Sequence, residues 1–156
     1  MPDSDWMKLA IAEAGKGISQ GQTPFGAVIV RDGNLLAAAH NLVWQSVDIT
    51  AHAEIVALRR ACQTLASIDL SGGVIYSTCE PCPMCFAACH WAKLARIVFG
   101  AAITDAAAAG FHELTIPNSE MKSRGGSPIE IVPGFLREEC AQLFRTWSAN
   151  PNARHY

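Results

Sequence analysis

Residues 50–66 read TAHAEIVALRRACQTLA, an amphipathic run typical of a helix, and GVIYS at 73–77 follows as an apolar strand. The runs FAACHWA at 86–92 and RIVF at 96–99 repeat this order of helix and strand. Helices that alternate with strands predict a sheet that contains parallel strands and is covered on both faces. We therefore expect an α/β protein, a three-layer α/β/α sandwich with a central mixed sheet of about five strands.

The flanking segments add further predicted elements. Asp3 or Ser4 is a predicted cap of a first helix, which Gly15 or Gly17 would end. Apolar strands at 24–30 and 35–40 flank the dipeptide Asp32-Gly33, a strong hairpin signal. Further along we predict a helical turn at 104–110, loops at 117–119 and 123–128, an edge strand at 129–132, a helix at 135–147 and a tail that would ordinarily fray. Residues 1–156 are expected to form one domain.

Two short motifs thirty positions apart carry the chemistry: His52-Ala53-Glu54, and Cys82 with Cys85 between prolines and a helix. Thr50 is a predicted cap that places His52 and Glu54 in a first helical turn, and the thiols fall at another helix start, where negative charge is favoured. One imidazole and two thiolates make three ligands, and they favour zinc. A structural zinc site uses four protein ligands, whereas a catalytic site uses three and leaves one position for water. The sequence therefore predicts one catalytic Zn²⁺ per subunit on His52, Cys82 and Cys85.

Glu54 is the predicted proton carrier of this site. Zinc lowers the pKa of bound water to about 7, so that hydroxide is available at neutral pH. A carboxylate two residues from a ligand can take the proton from that water and pass it to the substrate. If Glu54 were instead a fourth ligand, the site would be closed and structural.

Composition restricts the partners and the compartment. Twelve lysines and arginines against fourteen acidic residues give a net charge of −2, and the longest basic run is Arg59-Arg60, which argues against a nucleic-acid partner. The sequence shows neither an export signal nor 18 consecutive apolar residues, so we expect a soluble, cytoplasmic protein with no membrane partner. Its cysteines are then reduced. The four without a motif are interpreted as packing residues: Cys62, Cys79, Cys89 and Cys140.

The chain resembles the cytidine deaminase superfamily, and within it the bacterial guanine deaminases. H-x-E followed by P-C-x-x-C is the signature of zinc-dependent nucleobase deaminases. The resemblance covers nearly the whole length, and the segments that carry it are 24–28, 50–54 and 79–85 for the superfamily, and 104–107, 109–111 and the final tyrosine for the guanine branch. It implies hydrolytic deamination of a small purine base by a homodimer.

The same resemblance implies roles for six further residues. Phe25 and Trp91 would pack against the purine, and Asn41 would hydrogen-bond its edge. The backbone N–H of Ala53 would bind the atom beside the attacked carbon, and Glu113 would contact the exocyclic amine and relay a proton. Tyr156, in a tail formed by residues 149–156, would close the pocket, in relatives that of the partner subunit. His112 stands where similar proteins often have an acid, which leaves Glu113 as the only acid in this short segment. The longer side chain of Glu113 could shift the preferred substrate towards other aminated six-membered rings, such as triazines.

Each of these roles has a structural alternative. Phe25 and Trp91 could be core aromatics. Asn41 could be a turn residue, Glu113 a solvated surface carboxylate, and Tyr156 part of a disordered end.

The activity predicted is conversion of guanine to xanthine and ammonia. A tRNA adenosine deaminase shares both metal motifs and is the main alternative, although the C-terminal segment offers only Arg137, Arg145 and Arg154 as fixed positive charges. Deaminases of cytosine, guanosine or ammeline are further alternatives. A zinc-stabilised scaffold without activity would require a protein group in the fourth coordination position.

Overall fold

Five strands form one mixed sheet in the residues that this computed structural model describes, 3–156. They are β1 (Gly26–Arg31), β2 (Asn34–His40), β3 (Val74–Cys79), β4 (Arg96–Ala101) and β5 (Glu130–Val132). Their spatial order is β2-β1-β3-β4-β5. β1 pairs antiparallel with both β2 and β3, whereas β3, β4 and β5 pair in parallel. The predicted fold class is therefore confirmed.

Helices cover this sheet because its central strands are apolar on both faces; every residue from Gly26 to Val30 is buried. Helix α1 (Asp3–Ser19) contacts β1, β2 and β3, and the last helix, α7 (Arg137–Ser148), contacts β4 and α1. Helix α3 (Ala53–Leu65) packs on β1 and β2, with α4 (Pro83–Trp91) beside it. The shorter helices are α2 (Val43–Ser46), α5 (Ile103–Ala108) and α6 (Asn118–Gly125).

Strand direction determines where a site can form. Because β1 runs opposite to both of its neighbours, β2 points the same way as β3, β4 and β5. The carboxyl ends of β2 and β3 therefore meet at one edge of the sheet, where ligand sites of open α/β sheets lie. Asn41 follows β2 there, and the segment with both cysteine ligands follows β3.

Glycine at position 26 lets α1 lie close to β1. A Cβ atom at Gly26 would collide with the carbonyl oxygen of Ala10 and would come within 2.7 Å of the Ala14 nitrogen. The close packing of β1 against α1 therefore depends on the absence of a side chain at position 26.

The structure corrects the predicted end of the first helix. Helix α1 continues through Gly15 and Gly17 to Ser19. Gly17 has a packing role, because a Cβ there would lie 2.9 Å from Cδ2 of His40.

The predicted cap at Thr50 is also wrong. Its backbone N–H and its hydroxyl both donate to Asp48 Oδ1, at 2.9 and 2.6 Å. His52 occupies the N-cap position of α3, and the helix begins at Ala53.

One helix, α6, lies where we predicted loops, and another, α2, lies where we predicted no helix. Helix α6 occupies Asn118–Gly125, where we predicted two loops. Its first N–H is bound by a distant carboxylate, that of Glu80, so no local capping signal marks it. Helix α2 follows Asn41, whose side-chain oxygen accepts a hydrogen bond from the Val43 N–H.

All six cysteines are free thiols; Cys79, Cys89 and Cys140 are buried and Cys62 is partly buried, as expected for packing residues. No helix within residues 3–156 has the length and apolarity needed to cross a membrane.

Candidate active site

Two helix starts bring the predicted metal ligands together. His52 is the N-cap residue of α3, and Cys82 is the N-cap residue of α4, with Pro83 in the first helical position and Cys85 in the first turn. Neither N-cap side chain caps its own helix. Both side chains are therefore free to face the space between the helices, where unpaired N–H groups favour anionic ligands.

The spacing of the ligand atoms fits a tetrahedral zinc ion. His52 Nδ1 lies 3.7 Å from Cys82 Sγ and 3.6 Å from Cys85 Sγ, and the three atoms lie within 4.8 Å of one another. Zinc bonds of about 2.3 Å to sulfur and about 2.0 Å to nitrogen, at tetrahedral angles, require N···S separations of about 3.6 Å. His52, Cys82 and Cys85 can thus hold Zn²⁺ without rearrangement.

The two thiols differ in their readiness to ionise. A hydrogen bond from Cys85, opposed by burial and assisted by His52, lowers the pKa of Cys82 to about 4. The same bond and burial raise the pKa of Cys85 well above its usual range. Since zinc binds thiolates, metal binding must release the Cys85 proton and is therefore favoured by rising pH.

Glu54 lies in the first turn of α3 as a buried carboxyl group beside the ligands. Burial raises its pKa, with the Cys82 charge adding to this effect and His52 opposing it. Ser77 Oγ, on β3, lies 3.2 Å from Glu54 Oε1 and donates to the Cys79 carbonyl at 2.7 Å. A group with a raised pKa, held in place by a neighbour, is suited to accepting and returning a proton.

A second buried carboxylate, that of Glu80, stabilises the cysteine segment, residues 79–85. Glu80 accepts hydrogen bonds from the backbone N–H groups of Ile103, at 3.0 Å, and Asn118, at 2.7 Å. Asn118 in turn donates its side-chain amide to the Pro81 carbonyl at 2.6 Å. These bonds tie the segment that carries Cys82 to the starts of α5 and α6.

A cavity of about 340 Å³ opens beside the ligands. Its walls are Ile49, His52, Cys82, Pro83, Met84, His112, Glu113, Leu114 and Tyr156. Burial first, and then the charges of Cys82 and Glu54, raise the pKa of Glu113 to about 8. Its Oε2 is buried and has no hydrogen-bond partner within residues 3–156. Glu113 is therefore a pocket residue rather than a solvated surface carboxylate.

The C-terminal segment folds over the site of its own subunit. The Tyr156 ring lies 5.6 Å from that of His52, and its hydroxyl accepts a hydrogen bond from Asn41 Nδ2 at 2.6 Å and lies 3.4 Å from Thr23 Oγ1. Asn41 is fully buried. The Ala53 N–H, at the start of α3, is one of the groups that have no partner within a helix.

Neither predicted stacking aromatic lies in the cavity wall. Phe25 is a core residue whose ring packs at 5.0 Å from Phe111 and 5.7 Å from Phe144. Trp91, contrary to expectation, is 82% exposed and lines a separate groove between α3 and α4. It ends the helix that begins at Pro83, about 12 Å along the axis, too far to share a pocket with Cys82 in the same subunit.

Several site residues escaped the sequence analysis. Ile49, Met84 and Leu114 form the apolar part of the wall, and Ser77 contacts Glu54. Met84 lies inside the cysteine motif, so its position was a usable signal. Ile49 and Leu114 are apolar loop residues, and Ser77 is one hydroxyl in a buried strand; no spacing marks them.

The chain belongs to the cytidine and deoxycytidylate deaminase family: the family's zinc-binding region matches residues 1–101. With its ligand set and acid in place, it is a zinc-dependent hydrolytic deaminase.

Its relatives within the family act on different substrates. The chain is 38% identical to a guanine deaminase of Bacillus subtilis, over the full length of both chains. It is also 38% identical to the tRNA-specific adenosine deaminase of that organism, over 90% of this chain and 85% of the relative. The solved structure of a guanine deaminase from Nitrosomonas europaea is similar at a TM-score of 0.86, with 29% identity, over 96% of this chain and 86% of that one.

Proposed function

We propose that this enzyme deaminates guanine, with water, to xanthine and ammonia. One observation carries the proposal: the C-terminal segment covers the metal ligands and leaves a cavity of about 340 Å³. Such an enclosure suits a free base, whereas a base within RNA carries a ribose-phosphate chain on both sides. The similarity to a guanine deaminase extends over this segment as well.

The chain's own residues would divide the chemistry between them. Zn²⁺, held by His52, Cys82 and Cys85, supplies a Lewis acid and makes hydroxide available at neutral pH. Glu54 accepts one proton from water and delivers it to the ring nitrogen beside C2; it then accepts the second proton, from the hydroxyl group added at C2, and passes it to the amine, which leaves as ammonia. The new C–O bond at C2 replaces the C–N bond, so that one water is consumed for each ammonia released.

Recognition of the base falls to groups on three sides of the cavity. The Ala53 N–H donates to an oxygen or nitrogen near the attacked carbon, and Asn41 hydrogen-bonds the edge of the base. The Oε2 atom of Glu113, which has no hydrogen-bond partner within residues 3–156, accepts a hydrogen bond from the exocyclic amine. Tyr156 excludes water, because its ring closes the cavity while its hydroxyl is held by Asn41. Phe25 supports this closure indirectly, since Phe111 lies between it and Tyr156.

The enzyme acts as a homodimer in this proposal. Trp91 and Ile68 are 82% and 85% exposed and border one apolar groove with Ile55 and Leu58, between α3 and α4. Large exposed apolar side chains gathered in one patch mark interaction surfaces. A second copy of the chain covers this face.

A substrate panel tests the assignment. Zinc-loaded protein is incubated with guanine, guanosine, adenine, cytosine, cytidine, ammeline and a tRNA that has adenosine at the wobble position, and absorbance and ammonia are followed. Guanine is expected to be consumed fastest, and the Glu54→Gln variant serves as the inactive control. Turnover of cytosine or ammeline without guanine would overturn the substrate and leave the reaction class intact.

The tRNA adenosine deaminase remains the second candidate, because its sequence similarity is equal. It requires contacts to phosphates, and none of the nine residues that wall the cavity is lysine or arginine. Salt-sensitive tRNA binding together with conversion of its wobble adenosine, and no reaction with guanine, would replace the first proposal by this one.

A further inference from the structure

Trp44, which is not part of the cavity wall, contacts Arg154 in the C-terminal segment. The guanidinium of Arg154 lies over the Trp44 ring, 4.3 Å from its centroid, and the Trp44 Nε1–H donates to the Arg154 carbonyl at 3.2 Å. Trp44 lies on the short helix α2 and is not part of the hydrophobic core. It therefore holds the side chain and the backbone of one residue at once, two positions before Tyr156.

The next residue, His155, makes a separate set of contacts. His155 Nε2 lies 2.9 Å from the Ala109 carbonyl oxygen, and its ring meets that of Trp147 edge to face at 4.9 Å. Gly110 makes room for it: a Cβ there would come within 2.8 Å of His155 Nε2, and the backbone has φ +97°. Residues 154, 155 and 156 are thus each held by a different part of the fold.

Residues 153–156 belong to no helix or strand, so the segment is held by side-chain contacts and by one local backbone hydrogen bond, from the Ala153 N–H to the Asn150 carbonyl at 3.0 Å. The Tyr156 hydroxyl bonds to the buried Asn41, and Tyr156 itself lines the cavity where substrate must bind. The Trp44 contact lies outside it and leaves the cavity wall untouched. Trp44 can therefore be altered without changing groups that face the substrate.

We propose that Trp44 is a positioning residue that latches the C-terminal segment through Arg154 and so sets how much of the time the cavity is closed. This inference rests on the proposed function in taking the closed cavity as the state that binds the base. A cation–π contact and a hydrogen bond at a partly exposed site together amount to about a tenfold change in the closed-to-open ratio.

Proteolysis measures the latch without any turnover. Trypsin cleaves after Arg154 only when the segment leaves its seat, and mass spectrometry of zinc-loaded protein records loss of the dipeptide His155-Tyr156. We expect Trp44→Ala to speed this cleavage about tenfold. Trp44→Phe, which keeps the ring face and loses the N–H donor, should fall between this variant and the parent. Leu35→Ala, at an exposed apolar residue that borders neither the cavity nor the α3–α4 groove, should leave the rate unchanged. Cleavage of Trp44→Ala and Trp44→Phe at the parent rate would refute the latch.

Kinetics decide whether the latch matters for the reaction. The KM for guanine should rise in Trp44→Ala in proportion to the fall in the closed fraction, by at most about tenfold, with kcat changed less than twofold, since the reacting groups are unaltered, and Trp44→Phe should restore part of the KM. Faster cleavage with an unchanged KM would overturn the positioning role. If guanine is not a substrate, the same comparison is made with whichever member of the panel reacts. The proteolysis result stands in either case.

Discussion

Replacing Glu80 by Gln tests the bracing of the cysteine segment. The carboxylate of Glu80 is 6% exposed and accepts one backbone N–H at each oxygen, from Ile103 and Asn118. The amide of glutamine can accept at only one of these places; at the other it presents its own N–H₂ to a donor. One buried N–H loses its partner, and the remaining bond loses the assistance of a charge.

The cost follows from those two losses. A buried donor left unsatisfied costs about 1–3 kcal/mol, and a hydrogen bond to a charged group exceeds a neutral one by about 1 kcal/mol. We therefore expect the free energy of unfolding to fall by about 3 kcal/mol. For a chain of this size, about 2–4 °C is lost per kcal/mol, so Tm should fall by roughly 6–12 °C.

The assay is thermal unfolding of zinc-loaded protein followed by circular dichroism, with metal content measured before heating. Glu120→Gln is the matched control, because the Glu120 side chain is 40% exposed and forms one ion pair within residues 3–156, with Arg124 along α6 at 2.9 Å. That change should alter Tm by less than 2 °C, since exposed pairs contribute little. A Glu80→Gln variant that melts within 2 °C of the parent would show that the two backbone bonds do not brace the segment.

Three further predictions concern the proton carrier, the second acid and the dimer face. Glu54→Gln should keep one zinc per subunit, by metal analysis, and lower kcat by about 10²–10⁴-fold, the range for general acid–base catalysis; loss of metal would make Glu54 a ligand instead. Burial raises the pKa of Glu113 from 4.5 to about 8, so the folded state holds its proton more tightly and stability should fall as pH rises between those values. Glu113→Gln removes this contribution, and the difference in Tm between variant and parent should therefore grow from pH 5 to pH 8; a constant difference would contradict it. Trp91→Glu should convert a dimer to a monomer in light scattering, and an unchanged mass would exclude the α3–α4 face.

The sheet and the metal ligands could be predicted because their signals are local. Apolar runs and the Asp32-Gly33 turn located all five strands, and the ligands lie in two short motifs. Helix α6 could not be predicted, since its first N–H is bound by Glu80, thirty-eight residues earlier in the chain. The first helix was ended too early because glycine within a helix is normally unfavourable; contact of Gly17 with the His40 ring has no sequence signature.

The residues on the substrate side of the pocket were harder to predict from the sequence. The resemblance indicated Asn41, Glu113 and Tyr156, and the structure places all three at the cavity or its closure. The resemblance also implied that Trp91 packs against the base, but the structure does not place Trp91 in the cavity wall of its own subunit. A position in a motif does not specify which end of a helix approaches the metal. The grip of Trp44 on Arg154 joins residues 110 positions apart through an aromatic face, and such pairs leave no local pattern.

The origin of the ligands at two neighbouring helix starts has a consequence beyond catalysis. An ion held by His52 and the two thiolates crosslinks segments thirty residues apart, and because the site forms only in the folded chain, the binding free energy adds to the free energy of unfolding. A chelator would therefore do more than stop turnover. Amide hydrogens in the first turns of α3 and α4 should exchange with solvent faster once the ion is withdrawn, while those of β3 and β4 keep their protection.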